Sequence, residues 1–173
     1  MYKKLSIATL LCCISLFLEG TMKLTSPAFS HNEAIPTEYT CDGANNSPAL
    51  EWSGEPENTQ SFVLIVDDPD APGKTWVHWL VYNIPSTVDN ITKNQGSSRK
   101  EVPFLQGATD FNGKQTWGGP CPPSGTHHYH FTLYALDKVL DLPAGATKEQ
   151  LLHAMQGHIL EKTTLIGTYQ RKK

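Results

Sequence analysis

The sequence predicts a β-sandwich-type domain with one or two helices added at its edge. Three observations carry this. Short apolar runs with strand character recur along the chain. Twelve prolines and 13 glycines are scattered between them rather than periodic. Helix signals are confined to the C-terminal part.

The elements follow in order. Leu24 to Phe29 reads as a first strand, and Ala49 to Trp52 as a short second one, after an Asn45-Asn46-Ser47-Pro48 turn. Ser61 to Val66 is an almost wholly apolar run, readable as a buried strand. It stops at Asp67-Asp68-Pro69-Asp70-Ala71-Pro72-Gly73, where prolines end the strand and three carboxylates gather. Trp76 to Ile84 is the next strand, and simple alternation puts His78, Leu80, Tyr82 and Ile84 on one face. Residues 85–116 are rich in turn formers and read as the longest irregular region; long loops in compact domains often carry function. Residues 118–125 form a turn stiffened by three prolines and three glycines. It leads into a strand over 127–136, on which His127, Tyr129, Phe131 and Leu133 share a face. Thr147 with Gln150 is a capping box, and Leu151, Leu152, Met155 and Ile159 then recur near helical spacing, with Gly157 a mild breaker. Leu165 to Tyr169 reads as a closing strand.

The 173 residues suffice for one domain with a substantial core. Residues 1–20 are read apart from it. Lys3 and Lys4 precede an apolar run from Leu5 to Leu18, the pattern of a secretory signal peptide and too short for a comfortable membrane span. The domain is therefore expected over 21–173, in a periplasmic or secreted protein with no stable membrane span. A start at Met22 would make it cytoplasmic instead. Removing residues 1–20 moves the formal charge from −3 to −4. Arg171-Lys172-Lys173 is the lone basic run, so nucleic-acid binding through a basic surface is not expected. Of four cysteines, Cys41 and Cys121 lie outside residues 1–20; one disulfide or two buried thiols both fit.

A histidine and a tyrosine at the mouth of a core face, beside a rigid turn, indicate a small polar pocket. Asp68 at a neighbouring strand end has two readings, a turn cap or the partner that orients a pocket histidine. His128 and His130 share the opposite strand face, but no third ligand is near, so no metal or other cofactor is expected. Ser124 lies near His127 without a nucleophile elbow around it, so no enzymatic activity is expected, though an Asp–His–His cluster has the elements of acid–base chemistry.

Two blocks carry a resemblance. One is Asp68-Pro69-Asp70-Ala71-Pro72 followed by Trp76-Val77-His78-Trp79; the other runs from Gly119 through Pro120-Cys121-Pro122-Pro123-Ser124-Gly125-Thr126 to His127-His128-Tyr129. With Tyr39-Thr40-Cys41-Asp42-Gly43 and the ending Leu165-Ile166-Gly167-Thr168-Tyr169, they resemble the bacterial branch of the phosphatidylethanolamine-binding protein family, also called Raf kinase inhibitor protein-like. The resemblance spans roughly residues 23–170. It implies a two-sheet antiparallel β-sandwich with peripheral helices, and a small cavity for phosphate-like anions. Carried over, the ligand-binding set is Asp68, Asp70, His78, Gly119, Pro120, His127 and Tyr129, and Cys41 with Cys121 is the expected disulfide. His128 stands where the family often has Arg, which removes one permanent positive charge. The implied function is a binding or regulatory protein that takes a small anion, such as a phosphorylated headgroup. An enzyme using Asp68, His78 and His127, or an inhibitor of a protein target such as a protease or kinase, are the alternatives. The proline-dense turns further lead us to expect a cis X–Pro bond in one of them.

Overall fold

Alternation along Ser61–Asp68, strand β3, splits its side chains between two cores. Phe62, Leu64 and Val66 pack into one cluster, Val63 and Ile65 into the other. That division organises the molecule, which is described by a computed structural model for residues 21–97 and 101–172. The proposed signal segment lies outside the described residues.

The remaining elements are β1 (Lys23–Thr25), β2 (Leu50–Ser53), β4 (Trp76–Pro85), β5 (Asn90–Ile91), β6 (Leu105–Gln106), β7 (His127–Leu136), helix α1 (Lys148–Met155) and β8 (Ile159–Tyr169). They form two antiparallel sheets, one ordered β1-β2-β5 and the other β6-β4-β3-β7-β8. Leu24, Leu50, Trp52 and Ile91 of the small sheet meet Phe62, Trp79, Phe131 and Leu133 of the large one in the main core. On the other face of the large sheet, Leu151 and Met155 of α1 cover Val63, Ile65, Leu80 and Tyr82. The expected mainly β sandwich with a peripheral helix is the fold found.

Helix α1 begins at the Thr147–Gln150 capping box, in which each side chain bonds the other's backbone N–H. It ends earlier than the apolar spacing implied. Gly157 adopts a left-handed φ of 76°, and Ile159 belongs to β8. That strand is longer than expected because Ile159 and Leu160 are exposed and residues 161–164 are polar, so its first half lacks the alternating apolar signal of a strand; it pairs with β7 along its length. The first strand is shorter than expected. Past Thr25, Ser26 bonds Ala49 O and the Ala28 N–H, and Pro27 has no N–H to offer a ladder. Strands β5 and β6, each two residues long, lie in the region read as irregular.

Strand β4 corrects the expectation that His78, Leu80, Tyr82 and Ile84 share a face. Asp67 pairs with Val77 and Val66 with Trp79, leaving His78 as an inserted residue. A second irregularity lies opposite Val63, where Asn83 takes a left-handed φ of 54°. Each bulge inverts the alternation. Trp79, Val81 and Ile84 therefore enter the sandwich core, whereas Leu80 and Tyr82 face α1.

The proline-dense turns contain no cis bond; every described peptide is trans, contrary to expectation. Other ties hold them. Asp70 N–H bonds Asp68 Oδ1 at 2.9 Å, Cys41 N–H bonds Pro120 O at 3.1 Å, and Gly119 N–H bonds Asn45 Oδ1 at 2.8 Å. Cys41 and Cys121 are joined by a disulfide, with Cα atoms 5.4 Å apart.

Candidate functional site

The even-numbered face of β3 ends in Asp68, after Phe62, Leu64 and Val66. The neighbouring strand β7 begins on the same side with His127, before Tyr129 and Phe131. Two polar side chains thus sit at the open end of an apolar core, and both are buried. They meet: His127 Nδ1 lies 2.8 Å from Asp68 Oδ2. A carboxylate accepts, so Nδ1 carries the proton and Nε2 is left for the cleft.

His78 reaches the same place because of its bulge. Its ring stands edge-on to Tyr129, with centroids 5.1 Å apart. Its Nδ1 lies 2.6 Å from Gly118 O. A carbonyl only accepts, so Nδ1 again donates and Nε2 again is left for a ligand. Burial holds the His78 pKa below the ordinary imidazole value, although the Gly118 bond and the Asp68 charge pull the other way. This ring is therefore neutral near pH 7.

The two histidines line one cleft of about 360 Å³, with Asp68, Ala71, Pro72, Trp76, Phe111, Cys121, Pro122 and Pro123. Phe111 packs edge-on against both Trp76, at 5.8 Å, and His78, at 5.3 Å. It is held there by its neighbour Asp110, which accepts from Val77 N–H and from Lys74 Nζ. Gly118 permits this packing, since a Cβ there would fall 2.3 Å from the Phe111 ring. Among the described residues no Lys or Arg lines the cleft, and its two imidazoles are the lining groups able to carry positive charge.

Of the residues singled out from the sequence, Asp68, His78 and His127 converge on this cleft. Cys121 lines it too, whereas Asp70, Gly119, Pro120 and Tyr129 are not among its lining residues. Asp70 is exposed and holds His128, bonding both its backbone N–H, at 2.8 Å, and its Nδ1, at 2.7 Å. The His128 bonds depress the Asp70 carboxyl below the usual range. Gly119 and Pro120 fasten the turn to Asn45 and Cys41. Tyr129 is fully buried under His78. Its hydroxyl lies beside the Cys121 backbone without reaching hydrogen-bonding geometry. Burial, then the Asp68 charge, push its phenol well above the usual range.

Sequence reasoning missed Trp76 and Phe111 as walls. Trp76 was legible within the first block. Phe111 sits in the turn-rich stretch, where only the length of the loop marked it. Among the described residues there is no group of three or more His, Cys, Asp or Glu placed to hold a metal ion.

A family model described as phosphatidylethanolamine-binding protein matches residues 25–170. Among curated proteins, a UPF0098 protein from Methanothermobacter thermautotrophicus is 49% identical over 87% of this chain and 99% of its own length. Another UPF0098 protein, from Aquifex aeolicus, is 41% identical over 95% of this chain and 99% of its own. Among solved structures, CT736 of Chlamydia trachomatis, described as a phosphatidylethanolamine-binding protein homologue, superposes with a TM-score of 0.81 at 42% identity, covering 88% of this chain and 99% of that one. YbcL of E. coli, described as a new member of the mammalian PEBP family, gives 0.81 at 32% identity, covering 88% of this chain and 100% of its own.

Proposed function

The chain belongs to the phosphatidylethanolamine-binding protein family, and from that premise we propose that it is an exported binding or regulatory protein whose cleft takes a small anion, a phosphate or a carboxylate. One observation carries the reading. His78 and His127 each spend Nδ1 on the protein, on Gly118 O and Asp68, which leaves two Nε2 atoms for a ligand in one cleft.

The chemistry of those atoms favours a ligand that still holds a proton. Neutral His78 offers an Nε2 lone pair, which accepts from a P–OH or a carboxylic O–H. His127, when protonated, donates Nε2–H to an oxygen of the same group. Trp76, Phe111, Pro72 and Pro122 leave apolar wall for whatever the acid is attached to, a headgroup or a side chain of a protein target.

Export rests on the basic-then-apolar pattern of residues 1–20 and is supported by the disulfide, which suits an oxidising compartment. Among the described residues no helix is long and apolar enough to cross a membrane. Sequencing the N-terminus of protein recovered from an extracytoplasmic fraction tests this half of the proposal.

The anion reading is tested by calorimetric titration with inorganic phosphate between pH 5.5 and 8. Affinity should rise as pH falls through the histidine range, and His127→Ala should weaken it by about 1.5–3 kcal/mol, the value of a bond to a charged group. Unchanged affinity in the variant would sink the proposal. Turnover of phosphate or carboxylate esters abolished by His127→Ala would favour an enzyme built on the Asp68–His127 pair instead.

A further inference from the structure

We propose that the Cys41–Cys121 disulfide is a thiol–disulfide exchange site, and that its reduction releases one wall of the cleft. Structural disulfides are usually sheltered in a core. Here both half-cystines are exposed, and Cys121 itself lines the cleft. Accessibility is the first requirement for attack by an external thiolate.

The bridge also stands where its loss would be felt. Residues 118–123 supply three parts of the site: Gly118 O, which fixes His78, and the Pro122 and Pro123 walls. Residues 118–120 are buried and tied by hydrogen bonds: Gly118 N–H to His78 O at 3.0 Å, Gly119 N–H to Asn45 Oδ1, and Pro120 O from Cys41 N–H. Beyond Pro120 the disulfide is the covalent tie of the wall to the 41–45 turn. With the bridge open, Cys121, Pro122 and Pro123 draw away from that turn, while Gly118 stays on His78.

The exchange is balanced with a dithiol as reductant. One thiolate of the dithiol attacks Cys121 Sγ from the cleft side, forming a mixed disulfide and expelling Cys41 Sγ as thiolate, which takes up a proton. The second thiol then attacks the dithiol's own sulfur in that mixed disulfide. Cys121 leaves as thiolate, and the dithiol departs as a cyclic disulfide, two electrons having passed to the protein. Re-oxidation by a disulfide oxidant runs the same steps in reverse. None of this depends on which anion the cleft holds.

The test uses the folded protein with dithiothreitol, without denaturant. Thiols are trapped by maleimide and located by mass spectrometry, while the His78 ring is followed by its side-chain nitrogen resonances. We expect reduction whose rate rises in proportion to dithiothreitol concentration, an intact cooperative melt afterwards, and a His78 Nε2 signal that shifts as the Pro122 and Pro123 wall withdraws, with the Nδ1–H tautomer kept. The Cys41→Ser/Cys121→Ser double variant should show the same His78 signals as the reduced wild type. A reduction rate that saturates at the rate of global unfolding would overturn the exchange site. Reduction that leaves the His78 signals unchanged would overturn its coupling to the cleft.

Discussion

Asp68 holds two partners at once: its Oδ2 lies 2.8 Å from His127 Nδ1, and its Oδ1 takes the Asp70 N–H at 2.9 Å. The turn cap and the orienting partner are thus one side chain. A carboxylate this near the cleft repels an anion directly but fixes the ring whose Nε2 faces it. Asp68→Asn separates these effects. We expect phosphate binding to weaken by about 1 kcal/mol, because a bond from a ring to a charged acceptor is worth roughly that more than one to a neutral acceptor. Tighter binding in calorimetry would mean that repulsion dominates.

His78 sets an acid limit on stability. Its folded pKa lies below the ordinary 6.5, because burial disfavours the charged ring. The unfolded chain therefore binds a proton at higher pH than the folded one. Its contribution is present in full above about pH 6.5 and is lost as pH falls towards the folded pKa. Thermal melts of the wild type should decline through this window, and those of His78→Gln should decline less. Parallel curves would locate the acid sensitivity elsewhere.

Tyr129→Phe removes a buried hydroxyl that meets no hydrogen-bonding geometry. The ring's packing under His78 and in the core is retained. Stability should stay level or rise by up to about 1 kcal/mol, since a desolvated hydroxyl without a partner is a cost. A loss above about 2 kcal/mol in a denaturant titration would show that the hydroxyl is satisfied in solution.

Gly118→Ala puts a methyl 2.3 Å from the Phe111 ring. That ring is half-buried and turns more easily than the backbone yields. The expected result is a modest cost, about 1–2 kcal/mol as for other overpacked sites, with Phe111 swung off His78 and Trp76. The His78 ring protons should lose the upfield or downfield displacement that Phe111 imposes. Unmoved proton shifts would place the strain in the 118–119 backbone instead.

Much of this fold is legible in the chain because period-two alternation is a local property. The 127–136 strand has the bounds read from sequence, and Tyr129, Phe131 and Leu133 occupy the face that alternation assigns them. The capping box at Thr147 needs only two side chains three residues apart, so α1 starts where it should. What fails locally is the length of elements whose partners are distant. The polar stretch 161–164 of β8 is a strand because β7 lies beside it, not because Glu161 or Lys162 favour one.

The candidate site divides the same way. Asp68 and His127 were readable as strand-end residues flanking proline-rich turns, and their residue types pointed to a small polar pocket. Their contact was not readable, since it spans 59 residues and depends on β3 and β7 lying side by side. Nor was the place of His78 readable from alternation, since it rests on a bulge that exists only in the pairing of β3 with β4. The sequence alone determined which residue types the site has and the apolar faces they sit on. Tertiary structure decided which nitrogen of each histidine is spent and which aromatic walls close the cleft, because hydrogen-bond partners and ring contacts are made between strands, where sequence distance carries no information.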